Sequence, residues 1–391
     1  MHLAAIARSK FILRAIPFAA FVFIGAAQAQ PFNTPQSVVS PTPPPDTICK
    51  NCAQPYAESP HAPPANFNPV TASDAQLDFY GYPPRPDPQV SPGAYAIWMN
   101  VVSIPATRIV PKLRATSVSN GPAQIISRGT PASSDTDTGV TSKNWSSYTI
   151  EDLKNKFLTP KSYIYGSLIV PTAQQAFGRC SSTWVHSFEW VGIDGWNSTD
   201  VLQAGVEADA GCSGGTTSTF YGAWYEWFPH LSVGIDNFPI HPGDLIYVYV
   251  WSTSSTKGHY FMVDKTTNMS SALAFDAPSG VHLVGNSAEW VVERPSINGK
   301  LPTLTNYVTD AFYGAHINVP KIGEYSPATP RDGTTLSTTM VADKKDVSYA
   351  TRSTEDLTYI SPSGHKTTIA GTAIWFFDEG PVLATSGTTV R

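Results

Sequence analysis

Pro242-Gly243-Asp244-Leu245-Ile246-Tyr247-Val248-Tyr249-Val250-Trp251 places a tight turn directly before seven residues that are all apolar or aromatic. A run this short, rich in β-branched and ring side chains and bounded by turn residues, reads as a β-strand. Because alternate residues point to opposite faces, both faces of this strand are apolar and both need cover. Facing sheets provide such cover. From about Asn144 to the end the same grammar recurs, with short runs of Val, Ile, Tyr, Trp and Thr punctuated by Gly, Pro, Asn and Asp and little helical periodicity. Repeated short strands without βαβ alternation predict an all-β, antiparallel sandwich or barrel. The Thr/Ser-rich end, Gly333 to Arg391, still contains Ala373-Ile374-Trp375-Phe376-Phe377 and belongs to the same domain.

Upstream the composition changes three times. Ser117 to Ser142 is rich in Ser, Thr, Gly and Asp and reads as an exposed, cleavable connection. Asp74 to Val110 is apolar enough to pack, and its place between an export signal and the main domain suggests a pro-segment that docks and is later removed; an extra layer of the mature fold is the alternative. Gln30 to about Val70 is dominated by Pro, Ser, Ala and Asn and reads as a tether without chemistry. Ahead of it Arg8, Lys10 and Arg14 precede the apolar run Ala15 to Ala26 and the small-x-small site Ala27-Gln28-Ala29, the pattern of a signal peptide. The expected division is therefore a signal peptide at 1–29, tether and pro-segment at 30–142, and a β-sandwich domain at 143–391, in a protein secreted or periplasmic.

Across 391 residues, 41% hydrophobic and 12% aromatic content suffices for a large core, whereas charged residues make up only 14%. Few ion pairs are then at risk in acid, which suits an acidic workplace. A net charge of -5 and the lack of basic runs argue against nucleic acid as a partner. Cys180 and Cys212 are candidates for a disulfide in an oxidising compartment, and Cys49-x-x-Cys52, lacking a second pair for zinc, suits a small local one.

Several familiar signals fail on their context. Asp137-Thr138-Gly139 matches the aspartic-protease triplet, but that chemistry needs two such loops and no second one exists. Gly211-Cys212-Ser213-Gly214-Gly215 matches a nucleophile elbow yet leads into Thr216-Thr217-Ser218-Thr219 rather than a helix, so a turn between strands is the better reading. No His-Glu-x-x-His pair is present, and no metal or other cofactor is expected. What remains is a set of polar residues inside aromatic strands, where an unpaired carboxyl or amide costs several kcal/mol to bury. They are Asp194, Gln203, Glu226, Glu289 and Glu293. Alternation places Glu289, Val291 and Glu293 on one face, as the solvent face of an ordinary sandwich also would.

The order of Asn144-Trp145-Ser146, Trp190-Val191-Gly192-Ile193-Asp194-Gly195, Leu202-Gln203-Ala204-Gly205-Val206, Ala223-Trp224-Tyr225-Glu226-Trp227 and Ala288-Glu289-Trp290-Val291-Val292-Glu293 resembles the eqolisin, or glutamic peptidase, family. The resemblance implies a concanavalin-like antiparallel β-sandwich of two large sheets whose concave face holds a polypeptide substrate, with an acidic optimum. It implies a catalytic pair at Gln203 and Glu293, with Asp194 and Glu226 orienting that pair and Trp190 and Trp224 walling the cleft. The chain departs from the family at Ser147, where Gly is frequent, and at Gly222, where an acidic residue is frequent. The competing reading is a sandwich that binds or hydrolyses glycans, with Glu226 and Glu293 as its two carboxylates. Once the signal is removed, no membrane association is expected, and the protein is expected to act as a monomer.

Overall fold

The computed structural model describes residues 38–52, 57–129, 138–176, 180, 182–331, 333–342, 345–354, 357–360 and 366–378. The signal peptide expected at 1–29, Asp137 of the decoy triplet and the last residues, 379–391, lie outside the described residues.

Two mainly antiparallel layers lie face to face. The first runs, in spatial order, through strands Val233–Ile235, Thr216–Phe228, Val201–Ser213, Phe188–Ile193, Ala288–Glu293, Trp145–Glu151 and Thr334–Ala342. The second runs through Met269–Asp276, Lys257–Asp264, Leu245–Ser254, Tyr163–Ile169, Thr309–Val319 and Ala373–Asp378. Strand Lys345–Ser353 pairs with both Thr334–Ala342 and Ala373–Asp378, so the layers join along one edge. The sandwich read from the sequence is thus present, and the described strands of the Thr/Ser-rich end, Thr334–Ala342, Lys345–Ser353 and Ala373–Asp378, form part of it.

Alternation sorts the side chains. Val191, Ile193, Leu202, Ala204 and Val206 of the first layer and Ile246, Val248, Val250 and Met262 of the second share one buried cluster between the sheets. Burying a side chain of this kind stabilises the fold by about 1.5–3 kcal/mol. The other face of Leu245–Ser254 presents Tyr247, Tyr249 and Trp251, and here the cover is not a second large sheet. Val101 and Ile97 of helix Pro92–Val102 and Tyr359 and Ile369 of the hairpin Leu357–Ile360/Lys366–Ile369 pack there instead. That helix starts with Pro92 at its first position, where the missing N–H is no loss, and buries Ala94, Trp98, Val101 and Val102 along one stripe. The 74–110 region therefore forms an outer layer on the second sheet.

The stretch read as a free tether is partly docked. Val38–Val39 extends the first layer in parallel beside Ser218 and Thr219, Thr47 is fully buried, and the Asp46 carbonyl accepts from Ser117 Oγ at 2.6 Å and Asn298 Nδ2 at 3.2 Å. Edge backbone pairing and these bonds order a Pro-rich segment that has no core of its own. Ser117 to Asn120, read as exposed, is also held: Val118 and Asn120 are completely buried, and Val118–Ser119 pairs with Ser296–Ile297.

Cys49 bonds Cys52, and Cys180 bonds Cys212 across 32 residues with a Cα separation of 5.2 Å. Closing a loop of that length removes unfolded-state entropy equivalent to about 3–4 kcal/mol. The double variant Cys180→Ser/Cys212→Ser is expected to lose about that much in denaturant unfolding, with the fold otherwise kept. A loss under about 1 kcal/mol would contradict this.

Candidate active site

The first layer turns one face to the inter-sheet core and the other outward, and the outward face carries the polar residues singled out in the sequence. Register aligns them. Gln203 lies opposite Glu226 on one side and Gly192 on the other, and Glu293 lies opposite Phe188 and Trp145. Gln203 and Glu293 thus sit on strands separated by a single strand, Phe188–Ile193. That strand supplies Trp190, whose indole Nε1 donates to Glu293 Oε2 at 3.0 Å. A Cβ at Gly192 would come within 2.7 Å of the Trp190 ring and 3.2 Å of Gln203 Cβ, so only glycine leaves room for the indole to lie between the two residues. Asn144 Nδ2 donates to Glu293 Oε1 at 3.1 Å, so each carboxyl oxygen of Glu293 has its own donor. Trp224 and Trp145 complete an aromatic wall, Trp224 against Phe188 and Trp145 edge-on to Trp190.

The 117–124 segment crosses this face. The Asn120 N–H donates to Glu226 at 2.9 Å (Oε2) and 3.2 Å (Oε1), and Asn120 Nδ2 donates to Glu226 Oε2 at 3.1 Å. Gln203 Nε2 donates to the Asn120 carbonyl. Beside the segment a cavity of about 500 Å³ remains, lined by Ser119, Gly121, Asn144, Phe228, Glu293 and Ser296. Gln203, Glu226 and Glu293 are each at most 1% exposed.

Not every predicted residue joins this cluster. Asp194, at φ +69°, accepts the backbone N–H groups of Val284, Gly285 and Asn286 at 2.7–2.9 Å and so fastens that loop. It makes no hydrogen bond to Gln203 or Glu293. Glu289 lies on the same face as Glu293 but opposite Gly192, without the Trp190 and Asn144 contacts. Ser213 is exposed at the turn joining Val201–Ser213 to Thr216–Phe228, where Gly214 and Gly215 take φ +59° and +81°; the nucleophile-elbow match is a hairpin turn.

Three residues were missed by sequence reasoning. Asn144 was quoted within its motif but given no role; Asn120 carries no motif signal. Glu207 was legible, because the alternation that faces Gln203 outward also faces Gly205 and Glu207 outward. Arg114 Nη2 reaches Glu207 Oε1 at 3.4 Å while its Nε holds Asp236 at 2.7 Å. Gly222 is Glu207's neighbour across the ladder, and a Cβ there would meet Glu207 Oε1 at 2.7 Å. A side chain at 222 would therefore have to displace the Glu207 carboxyl from its place beside Arg114.

The face is rich in buried carboxyls, of which Glu207 is paired with a cation, Arg114. Burial pushes Glu293 well above the usual carboxyl range, Glu226's charge adds to this, and the bonds from Asn144 and Trp190 oppose it. Burial raises Glu226 and Glu289 in the same direction. Burial and the charge of Asp209 take Glu207 up to about 7 despite Arg114, and burial takes Asp310 up to about 7. A carboxyl raised on folding stays protonated where the unfolded chain has already released its proton. Its stabilisation is therefore complete below about pH 4 and is lost as pH rises through the folded-state pKa, about 7 for Glu207 and Asp310. His259 and His316, lowered by burial to about 4, act oppositely, favouring the fold above about 6.5, but they are two against many carboxyls. The melting temperature is expected to fall between pH 4 and pH 7 in thermal scans. A rise over that interval would contradict the carboxyl assignments.

The fold and this face define an all-β sandwich with a tryptophan-lined outer cleft holding one amide and several buried carboxyls. Residues 143–359 match the model of the Peptidase A4 family. The chain is 33% identical over 168 residues to aspergillopepsin-2 of Aspergillus niger, covering 41% of this chain and 58% of that protein. It is 35% identical over 105 residues to scytalidopepsin B of Scytalidium lignicola, covering 27% and 38% respectively. It thus spans about half the length of the curated relatives it matches. A crystal structure of scytalido-glutamic peptidase with a transition state analog inhibitor superposes with a TM-score of 0.44 at 22% identity, over 60% of this chain and 98% of that one. The chain belongs to the Peptidase A4 family, as the order of its five motifs suggested.

Proposed function

We propose that this chain is an exported acid endopeptidase in which Glu293 activates water and Gln203 stabilises the oxyanion formed on the scissile carbonyl. The observation that carries the reading is the bond from Gln203 Nε2 to a backbone carbonyl, that of Asn120, in a peptide segment lying across the face that holds Glu293. A side-chain amide that cannot ionise meets a peptide carbonyl at the outer face of the sheet. Gln203 Oε1 has no partner among the described residues and is free to accept from a water.

In the mechanism, an ionised Glu293 takes a proton from water as the water oxygen attacks the carbonyl carbon. Gln203 Nε2 donates to the developing oxyanion. As the tetrahedral intermediate collapses and the C–N bond breaks, Glu293 returns the proton to the leaving amine. Trp190 and Asn144 fix the carboxyl for both steps, each holding one oxygen. Glu226 binds the N–H and side-chain amide of the residue whose carbonyl is attacked. With the segment in place, burial holds Glu293 well above the ordinary carboxyl range, so only a small ionised fraction is available to act as base and reaction at the docked segment is slow. An open cleft rehydrates it and lowers its pKa toward the ordinary carboxyl range, which allows a base to work in acid. Hydrolysis of an unfolded protein as a function of pH, with both residues varied, tests this reading and is developed in the Discussion.

A further inference from the structure

The 117–124 segment is bound as an extended peptide ligand is, through its main chain. Its Ser117 N–H donates to the Thr47 carbonyl and its Val118–Ser119 pairs with Ser296–Ile297. The Asn120 N–H goes to Glu226 and the Asn120 carbonyl to Gln203. The Gly121 carbonyl accepts from Trp145 Nε1 at 3.1 Å, and the Pro122 carbonyl accepts from Asn144 Nδ2 at 3.2 Å. The Ala123 N–H donates to the Gly195 carbonyl at 3.3 Å, and the Gln124 N–H to Asn144 Oδ1 at 2.7 Å. Side chains contribute at one position above all, where Asn120 Nδ2 also engages Glu226.

Two of these contacts single out one peptide bond. Gln203 marks the Asn120 carbonyl on the N-terminal side. Asn144 bonds both Glu293 and the Pro122 carbonyl, which brings the Glu293 carboxyl to the C-terminal side. Between them lies the Asn120–Gly121 bond. Gly121 suits the position: a Cβ there would approach the Phe228 ring to 3.0 Å, so a larger residue would force that ring to move.

We propose that Asn120–Gly121 is the bond this protein cuts in its own chain, and that residues 117–120 block the cleft until it does. The proposal rests on the peptidase reading above. Water attacks the Asn120 carbonyl carbon and gives a proton to Glu293, and Gln203 Nε2 holds the oxyanion. The bond to the Gly121 nitrogen breaks, Glu293 delivers the proton to that nitrogen, and the products are an Asn120 carboxyl and a Gly121 amine. The new N-terminus stays attached, because Ile125–Arg128 pairs with Thr138–Ser142, which itself runs parallel to Thr334–Ala342. The side upstream of the cut keeps holds of its own, among them Leu113–Ala115 paired with Val233–Ile235, the Arg114 contacts to Glu207 and Asp236 and the Asp46–His186 pair at 3.3 Å. The boundary expected near residue 143 thereby moves to 121, and the strands at 125–142 remain with the sandwich.

The test is to bring the full-length chain to acid with an added unfolded protein present, and to follow both the added substrate and the chain's own N-termini by mass spectrometry and end-group sequencing. The expected result is a new N-terminus at Gly121, formed at a rate per molecule unchanged over a hundredfold dilution, as for a bond already seated in its own cleft. Glu293→Gln is expected to stay uncut, which separates enzymatic hydrolysis from spontaneous scission of an Asn-Gly bond. Gly121→Pro, checked for folding by thermal melting, is expected to slow formation of this end at least 100-fold. A wild type that digests the added protein while its N-terminus forms elsewhere overturns the self-cleavage and leaves the peptidase reading intact. Cutting at 120–121 that persists in Glu293→Gln, or whose rate scales with concentration, also overturns it. A wild type that cuts neither substrate nor itself overturns both.

Discussion

Gln203→Ala is expected to lower turnover on an unfolded protein substrate by about 100- to 1000-fold, with a much smaller change in KM, because the amide bonds most strongly to the charge that develops only in the transition state. Gln203 lies on the long strand Val201–Ser213, hydrogen-bonded to a neighbour on each side, so its backbone position does not depend on the side chain. Truncation removes the donor now aimed at the Asn120 carbonyl. It also leaves the Asn120 carbonyl unpaired while the segment is docked, so the blocking segment is expected to bind more weakly in this variant. Steady-state kinetics of the processed variant separates the two effects. A proportional rise in KM with unchanged kcat would mean that Gln203 binds substrate and transition state alike, contrary to the oxyanion assignment.

Glu293→Gln is expected to cost more, at least about 10³-fold, since one group carries both the general-base and the general-acid step, each typically worth about 10²- to 10⁴-fold. The substitution keeps the shape and removes the ionisation. Trp190 Nε1 still finds an oxygen to donate to, while the Asn144 amide meets an amide in place of an oxygen, so a small cost in stability accompanies the loss. Glu289→Gln serves as the comparison: it alters a buried carboxyl four residues away on the same face, without the Trp190 and Asn144 contacts, and is expected to retain most activity.

The fold was legible in the sequence because it follows from local periodicity, whereas the roles of Gln203 and Glu293 came from the resemblance of five motifs to the glutamic peptidases. The alternation in Leu245–Trp251 required cover on both faces, and the order of motifs from Asn144 to Glu293 put Gln203, Glu226, Trp190, Trp224 and Glu293 on the outward face of one sheet. What the alternation did not carry is which long-range partner covers each face. Tyr247 and Tyr249 gave no sign that a helix about 150 residues upstream, rather than a sheet, would pack on them. Asn120 lies 83 residues from Gln203, in a polar Ser-Asn-Gly-Pro stretch that composition alone marks as loop. Its order comes from docking onto the sheet, and composition registers only the absence of a core of its own. Asp194, which the resemblance implies as a group orienting the pair, takes φ +69° and turns toward three backbone N–H groups of the 284–286 loop.

The glycan reading draws on aromatic side chains and on Glu226 and Glu293 as two carboxylates across a groove. Glu226 here accepts from the N–H and side-chain amide of Asn120, a contact the peptidase reading uses and the glycan reading does not.

The most direct measurement is the rate of hydrolysis of an unfolded protein from about pH 2 to 7 by wild type, Glu293→Gln and Gln203→Ala, all produced as chains beginning at Gly121 so that none carries the blocking segment, and all verified as folded. The expected result is acid-limited proteolysis by the wild type, abolished in Glu293→Gln and reduced at least 100-fold in Gln203→Ala at every pH. Undiminished proteolysis by folded Glu293→Gln would contradict the assignment of Glu293 as the group that activates water.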